Sequence, residues 1–172
     1  MKVIALSGRM GSGKSFIAKK LYDLIPSSHI YSFAQPLKEE ATRLGWDGNK
    51  DKKGRRLLQL LGTDICRKCI REDYWTDRAW KHITYSSSEV IIIDDVRFQD
   101  EIDMLKRHFD VTHIHIEKYM SWFRALWDLL FRPFLHPSEK GFADSDEYVV
   151  FNDCCSKRVL EEVYEILGID YE

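Results

Sequence analysis

The 172-residue chain carries no surplus of positive charge: 26 Lys and Arg against 28 Asp and Glu leave a formal net charge of −2. With a pI near 6.3, it is not expected to coat nucleic acid or an anionic membrane, so any basic site must be local. The first apolar run, Val3–Leu6, ends in a glycine-rich turn and not in a cleavage site, so no secretory signal is read and a cytoplasmic location is expected. Internal repeats and low-complexity linkers are lacking, and the length suits one α/β domain with a real core. There are only four cysteines, Cys66, Cys69, Cys154 and Cys155. A four-thiolate zinc site is conceivable, but the first two fall in a strongly helical stretch and vicinal cysteines clamp a tetrahedral ion poorly. Reduced, structural thiols are the expectation.

What the chain does have begins at its N-terminus. Met1–Ser15, MKVIALSGRMGSGKS, runs a short apolar strand into Gly8-x4-Gly13-Lys14-Ser15, a complete P-loop. Its glycines let the backbone curl so that successive N–H groups of Gly8, Arg9, Met10, Gly11, Ser12 and Gly13 can point at phosphate oxygens, and the helix opening at Lys14 adds its positive end. Lys14 is expected to reach the β- and γ-phosphates, and the Ser15 hydroxyl to hold Mg²⁺.

Apolar, β-branched runs then alternate with helical patterns, the signature of a parallel sheet covered on both faces. Strands are predicted at Val3–Leu6, Ile30–Phe33, Val90–Asp94, Thr112–Ile116 and Tyr148–Phe151. Helices are predicted at Lys14–Leu24, Pro36–Leu44, Arg55–Arg71, Asp77–Ser86, Asp100–His108, Ser121–Phe131 and Ser156–Leu167, the last with Ser156 as its N-cap.

Two segments exceed a minimal five-strand unit, about Pro36 to Ser88 and Ile116 to Tyr148. Insertions at the C-terminal ends of strands lie where open α/β sheets bind ligands, so both are expected to face the P-loop. From Lys50 to Arg71 the first holds eight Lys or Arg against Asp51 and Asp64, which implies a second anion. Lys50, Lys52 and Lys53 fit a solvated face; Arg56 and Arg67, flanking LLQLLGTD, are the better candidates. The second insertion mixes Trp122, Phe123, Leu126, Trp127, Leu130 and Phe131 with Arg124, Asp128 and Arg132 at four-residue spacing, which stacks the charges on one helix face. Those charges break any run of about 20 apolar residues, so no membrane span is expected. Surface-seeking amphipathic binding stays open, and a mobile cover whose arginines point to phosphate is preferred.

The strand Val90–Asp94 ends in Asp94-Asp95-Val96-Arg97, delivering carboxylates to the sheet edge beside the P-loop. An Asp there holds Mg²⁺ directly or through water. Alternation does not decide between Asp94, the nominal strand end, and Asp95, the first loop residue. Arg97 brings a cation to the same edge, suited to bridging donor and acceptor phosphates.

The P-loop, Ser32-Phe33-Ala34-Gln35-Pro36-Leu37-Lys38, LLQLLGTDICR ending at Arg67, DDVRFQDE from Asp94 to Glu101, His136-Pro137-Ser138-Glu139 and Phe151-Asn152-Asp153 together resemble bacteriophage-type deoxynucleoside monophosphate kinases over most of the chain. The resemblance implies the P-loop nucleoside monophosphate kinase fold, a three-layer α/β/α domain on a five-stranded parallel sheet. Its core would be residues 1–35, 89–118 and 146–172, with a monophosphate-binding insertion at 36–88 and a lid at 119–145. By the same resemblance Lys38, Arg56, Arg67 and Arg97 look like acceptor-phosphate and bridging cations, and Arg124 and Arg132 like lid arginines. Ser138 and Glu139 sit near the substrate or lid, and Asn152 where a loop often meets the donor adenine. Gln35 stands where related kinases often carry an acid.

The implied reaction uses ATP and Mg²⁺ to phosphorylate a deoxynucleoside monophosphate in the host-cell cytoplasm, if the chain is viral. No general base is required, since the acceptor phosphate is already a nucleophile. A kinase of another small acceptor, such as dephospho-coenzyme A or phosphomevalonate, shares this architecture. A GTPase switch is the alternative from another class, but Asn49-Lys50-Asp51 misplaces the guanine-specificity Asp and no Asp-x-x-Gly follows Asp94. Trp46, Tyr74, Trp75 and Glu139 are candidate base selectors. Exposed Trp122 and Trp127 would favour a homodimer.

Overall fold

The computed structural model describes residues 1–118, 148–153 and 156–170. The chain divides into two units, Met1–Ile30 with Ser88–Glu172, and Tyr31–Ser87. Among the described residues the first is built on strands β1 (Lys2–Ser7), β2 (Ser28–Tyr31), β3 (Val90–Val96), β4 (Asp110–Lys118) and β5 (Tyr148–Asn152), hydrogen-bonded in the order β2-β3-β1-β4-β5. β1 pairs parallel with β3 and β4, and β4 with β5. Helices α1 (Lys14–Leu24), α5 (Gln99–His108) and α6 (Ser156–Leu167) belong to this unit. The fold is thus the expected α/β fold with a five-stranded parallel sheet.

Central strands of such a sheet are covered on both faces, so they need apolar residues without alternation. Val3–Leu6 and Ile91–Ile93 meet that need and are buried. Ile4 and Leu6 pack with Ile17, Ala18 and Leu21 of α1 and with Val159 and Val163 of α6, each Ile, Leu or Val side chain contributing about 1.5–3 kcal/mol through burial. Ser156 is the first residue of α6.

β3 runs two residues further than predicted. Between Ala5↔Ile93 and Ser7↔Val96 the register slips, because β3 advances three residues while β1 advances two. The extra residue lies at Asp94-Asp95. A bulge of this kind re-aims side chains and suspends strict alternation, which is why alternation could not assign the two aspartates.

In the second unit, α2 (Ala34–Arg43) starts two residues earlier than predicted, and Pro36 lies in its first turn, where a missing N–H leaves no bond unmade. β2 correspondingly ends at Tyr31, short of the predicted Phe33. The single helix expected at Arg55–Arg71 is two segments. α3 (Lys52–Gln59) begins at an Asp51 cap whose carboxylate accepts from the Gly54 N–H at 2.7 Å, and Leu60–Ile70 is wound as a π-helix. At its end the Arg71 N–H reaches the Cys66 carbonyl five residues back. Helix α4 (Tyr74–Thr84) begins three residues before the predicted start, with Asp73 as its N-cap. Ala41, Leu61, Cys66 and Trp75 form the core of this unit. The predicted helix Ser121–Phe131 lies outside the described residues.

Candidate active site

The turn between β1 and α1 has the backbone that its glycines predict. Gly8, Gly11 and Gly13 hold φ of 130°, 78° and 103°, values that L-residues with a Cβ rarely adopt. Gly8 is also excluded from substitution by space, because a Cβ would run into the Ile116 carbonyl oxygen on β4. A Cβ on Gly13 would stand 2.7 Å from Asn152 Nδ2. Ser12 is buried, and its N–H bonds the Arg9 carbonyl at 3.1 Å. Met10 projects from the loop, 87% exposed. Gly13 caps α1 through backbone alone, with no side chain on the first helical N–H groups. That leaves the positive helix end facing the loop, the arrangement that binds phosphate.

Lys14 Nζ donates to the Gly8 carbonyl at 2.8 Å, the Arg9 carbonyl at 2.7 Å and Ser12 Oγ at 3.4 Å. Burial lowers its pKa from the ordinary lysine value, and the Arg97 charge lowers it further, while Asp94 and Asp95 act the other way. Lys14 thus lies within electrostatic reach of Arg97 and of both aspartates. Ser15 Oγ donates to Asp94 Oδ2 at 2.9 Å. Asp94 therefore meets the P-loop hydroxyl, whereas Asp95 is buried in the strand and not in the following loop as predicted. Two hard oxygen donors side by side make a set that suits Mg²⁺.

Two further contacts were not foreseen. Asn152 Nδ2, expected near adenine, donates to the Ser12 carbonyl at 2.8 Å and so ties the end of β5 to the P-loop. Ser7, the residue before Gly8, is buried with its hydroxyl 2.8 Å from His113 Nε2 and 2.9 Å from His115 Nδ1. A hydroxyl has one proton, so it can donate to only one of the two rings. The signal in the sequence was the i, i+2 spacing of His113 and His115, which puts both on one face of a strand.

The second unit holds the other predicted cations. Arg56 lines a cavity of about 500 Å³ with Lys50, Asp51, Lys52, Arg55 and Gln59. Arg55 Nε donates to the Lys50 carbonyl at 2.9 Å. Of the lysines read as a solvated face, Lys50 and Lys52 thus share a concavity with Arg56. Lys38 and Arg67 are half-buried and do not line that cavity. Gln35 donates its amide to the Glu39 carboxylate at 2.9 Å, so a carboxylate does stand beside it, one helical turn on.

Two of the candidate base selectors are packing residues. Trp75 is buried with its indole N–H on the Gly62 carbonyl at 2.8 Å, and Tyr74 meets it edge-on at 4.8 Å. Trp46 donates to the Asn49 carbonyl at 3.0 Å. Arg78, which the sequence did not single out, lies against both rings of Tyr74 and Trp75 and pairs with Glu40 at 3.1 Å. Cys66 is buried and free, its thiol pKa pushed up by burial, with Arg78 opposing and Glu40 adding to the rise. That is the behaviour of a structural thiol. Arg124, Arg132, Ser138 and Glu139 lie outside the described residues.

The profile of a family described as deoxynucleotide monophosphate kinase matches residues 42–161. Among curated proteins, a UPF0200 protein of Methanosarcina barkeri is 29% identical over 120 residues, 69% of this chain and 60% of that protein. A deoxynucleoside-5'-monophosphate kinase of Escherichia phage T5 is 30% identical over 91 residues, 51% of this chain and 34% of the phage protein. The chain therefore matches three-fifths or less of the length of these relatives. Among solved structures, the Mycobacterium tuberculosis APS kinase in complex with AMPPNP and APS has a TM-score of 0.53 at 13% identity, covering 97% of each chain. That likeness is one of fold.

Proposed function

The chain belongs to the deoxynucleotide monophosphate kinase family, and from that premise we propose that it transfers the γ-phosphoryl group of ATP to a deoxynucleoside 5'-monophosphate, giving ADP and the diphosphate. The observation that carries the proposal is the 2.9 Å hydrogen bond from Ser15 to Asp94, with the Lys14 ammonium and the Arg97 charge beside it. A P-loop, a carboxylate and a second cation at one sheet edge are the parts of phosphoryl transfer.

In this reading the N–H groups of the P-loop and the start of α1 take the donor phosphates. Lys14 follows the charge that develops between β and γ. Ser15 and Asp94 would hold Mg²⁺, with Asp95 behind them, and the ion when bound neutralises charge between the phosphates. Arg97 draws the acceptor phosphate into line, so proximity and electrostatics supply the rate without a general base. Arg56, with the cations that share its cavity, and Lys38 and Arg67 bind the acceptor. Arg124, Arg132 and Glu139 are assigned to the lid and substrate by the resemblance alone, as is supply of diphosphates for DNA synthesis in the cytoplasm. Membrane attachment is not part of the proposal; among the described residues no helix is long and apolar enough to cross a membrane.

The experiment is ADP release across the common and modified deoxynucleoside monophosphates, with Lys14→Ala as control. Turnover stimulated by one or more monophosphates, and reduced by several orders of magnitude in the variant, is expected. ATP hydrolysis indifferent to every monophosphate, or tight stoichiometric GDP binding in its place, would overturn the proposal.

A further inference from the structure

The turn that carries Arg97 out of β3 is held by one buried carboxylate. Glu101 is 3% exposed. Its Oε2 accepts the Arg97 N–H at 2.8 Å and the Phe98 N–H at 3.1 Å, while its own N–H returns to the Phe98 carbonyl at 3.1 Å. Phe98 is the N-cap of α5 in extended conformation, and its side chain has no oxygen with which to cap. Glu101, three residues on, takes that task from inside the helix.

A helix cap alone does not require this geometry. An exposed acid in the first turn would serve the helix end equally well, and Asp100 already supplies negative charge there. Sinking a carboxylate out of water costs free energy unless charge-assisted hydrogen bonds replace its hydration. What this arrangement adds is a fixed backbone at Arg97. The Arg97 side chain is exposed, so the place at which its Cα is held bears directly on where its tip can reach. Its charge nonetheless bears on Lys14.

We infer that Glu101 is a positioning residue for Arg97, holding the Arg97 and Phe98 amides so that the guanidinium is delivered to the P-loop side of the sheet edge. The inference rests on the proposed role of Arg97 at the phosphates. It differs from a structural role for Glu101 in one respect: its effect on turnover must pass through the Arg97 side chain.

A double-mutant cycle separates the two. Glu101→Ala, Arg97→Ala, the double variant and Glu101→Gln are compared by kcat and KM in monophosphate-dependent ADP release, by affinity for a fluorescent ATP analogue, and by thermal melting. Glu101→Ala is expected to lower kcat about 100-fold, the scale of a misplaced catalytic group. The double variant should fall within about twofold of Arg97→Ala. Glu101→Gln, whose amide oxygen accepts the same two N–H bonds, should recover most of the loss. Losses that multiply in the double variant, wild-type kcat in Arg97→Ala, or a Glu101→Gln protein as slow as Glu101→Ala would each overturn the inference. Should the wild-type chain release no ADP with any monophosphate, the proposed function fails by itself. The same cycle in analogue affinity then decides Glu101: coupling supports the inference and multiplicative losses reject it.

Discussion

Asn152→Ala separates two roles that the same residue could play. The resemblance implies a contact with donor adenine, whereas the structure has Asn152 Nδ2 on the Ser12 carbonyl at 2.8 Å. Ser12 is fully buried, so deleting the amide strips that carbonyl of a donor that water does not readily replace. The cost of such a loss is about 1–3 kcal/mol. Charged in full against the phosphate-binding form of the loop, it lowers apparent nucleotide affinity by roughly 5- to 150-fold. Because the effect acts on the loop and not on the base, ATP and GTP as donors should lose affinity by the same factor. The assay is KM for each donor at saturating acceptor, with direct binding of each nucleotide as a check. A rise in KM for ATP alone, erasing discrimination against GTP, would refute the tether and restore the adenine contact.

Two other perturbations test separate parts of the chain. Lys14 binds its proton less tightly when folded than when unfolded, chiefly because it is buried and next because of Arg97. The native state then holds fewer protons between the lowered pKa and 10.5, so stability of the nucleotide-free protein should rise with pH across that window; Lys14→Met should flatten this rise in urea titrations. Bound phosphates favour the ammonium, so ATP binding should take up a proton in the same window, seen as buffer-dependent heat in calorimetry; heats independent of the buffer there would reject the linkage. At Gly54 a Cβ would strike the Asn49 carbonyl and stand 2.8 Å from Trp46 Nε1. Overpacking of about 1–3 kcal/mol should outweigh the ~1 kcal/mol that alanine gains in a helix, so Gly54→Ala should lower the denaturation midpoint, and a raised midpoint would contradict the packing.

The donor side was legible because its determinants are short-range. The P-loop is one continuous segment whose glycines announce positive φ, and β3 is a run of isoleucines that cannot be elsewhere than in the sheet centre. Its end was less so: which aspartate meets Ser15 depends on a register slip against β1, and a slip leaves no mark in the sequence of either strand. The π-winding of Leu60–Ile70 escaped for a related reason. Its residues have ordinary helical propensities, and what they satisfy is tertiary: the Gly62 carbonyl takes the Trp75 indole, and Gly62 itself admits Leu37 so closely that a Cβ would lie 3.1 Å from it. Ser7 with His113 and His115 is the same case across strands 106 and 108 residues apart.

These long-range contacts converge on the P-loop itself. Ser7 fixes its entry against β4, the Ile116 carbonyl excludes any side chain at Gly8, and Asn152 holds the Ser12 carbonyl from β5. Such a loop is braced by the two strands on one side of β1, while the partners proposed for it, Asp94 of β3 and Arg97 just beyond that strand, lie on the other. Phosphate binding requires several N–H groups to stay aimed without reorganising as charge moves. Under the proposed function, the ion and the acceptor would meet the loop from the β3 side, where Asp94 stands. A cradle held from behind suits the proposed phosphoryl transfer, in which the donor phosphates must stay still while the acceptor comes and goes.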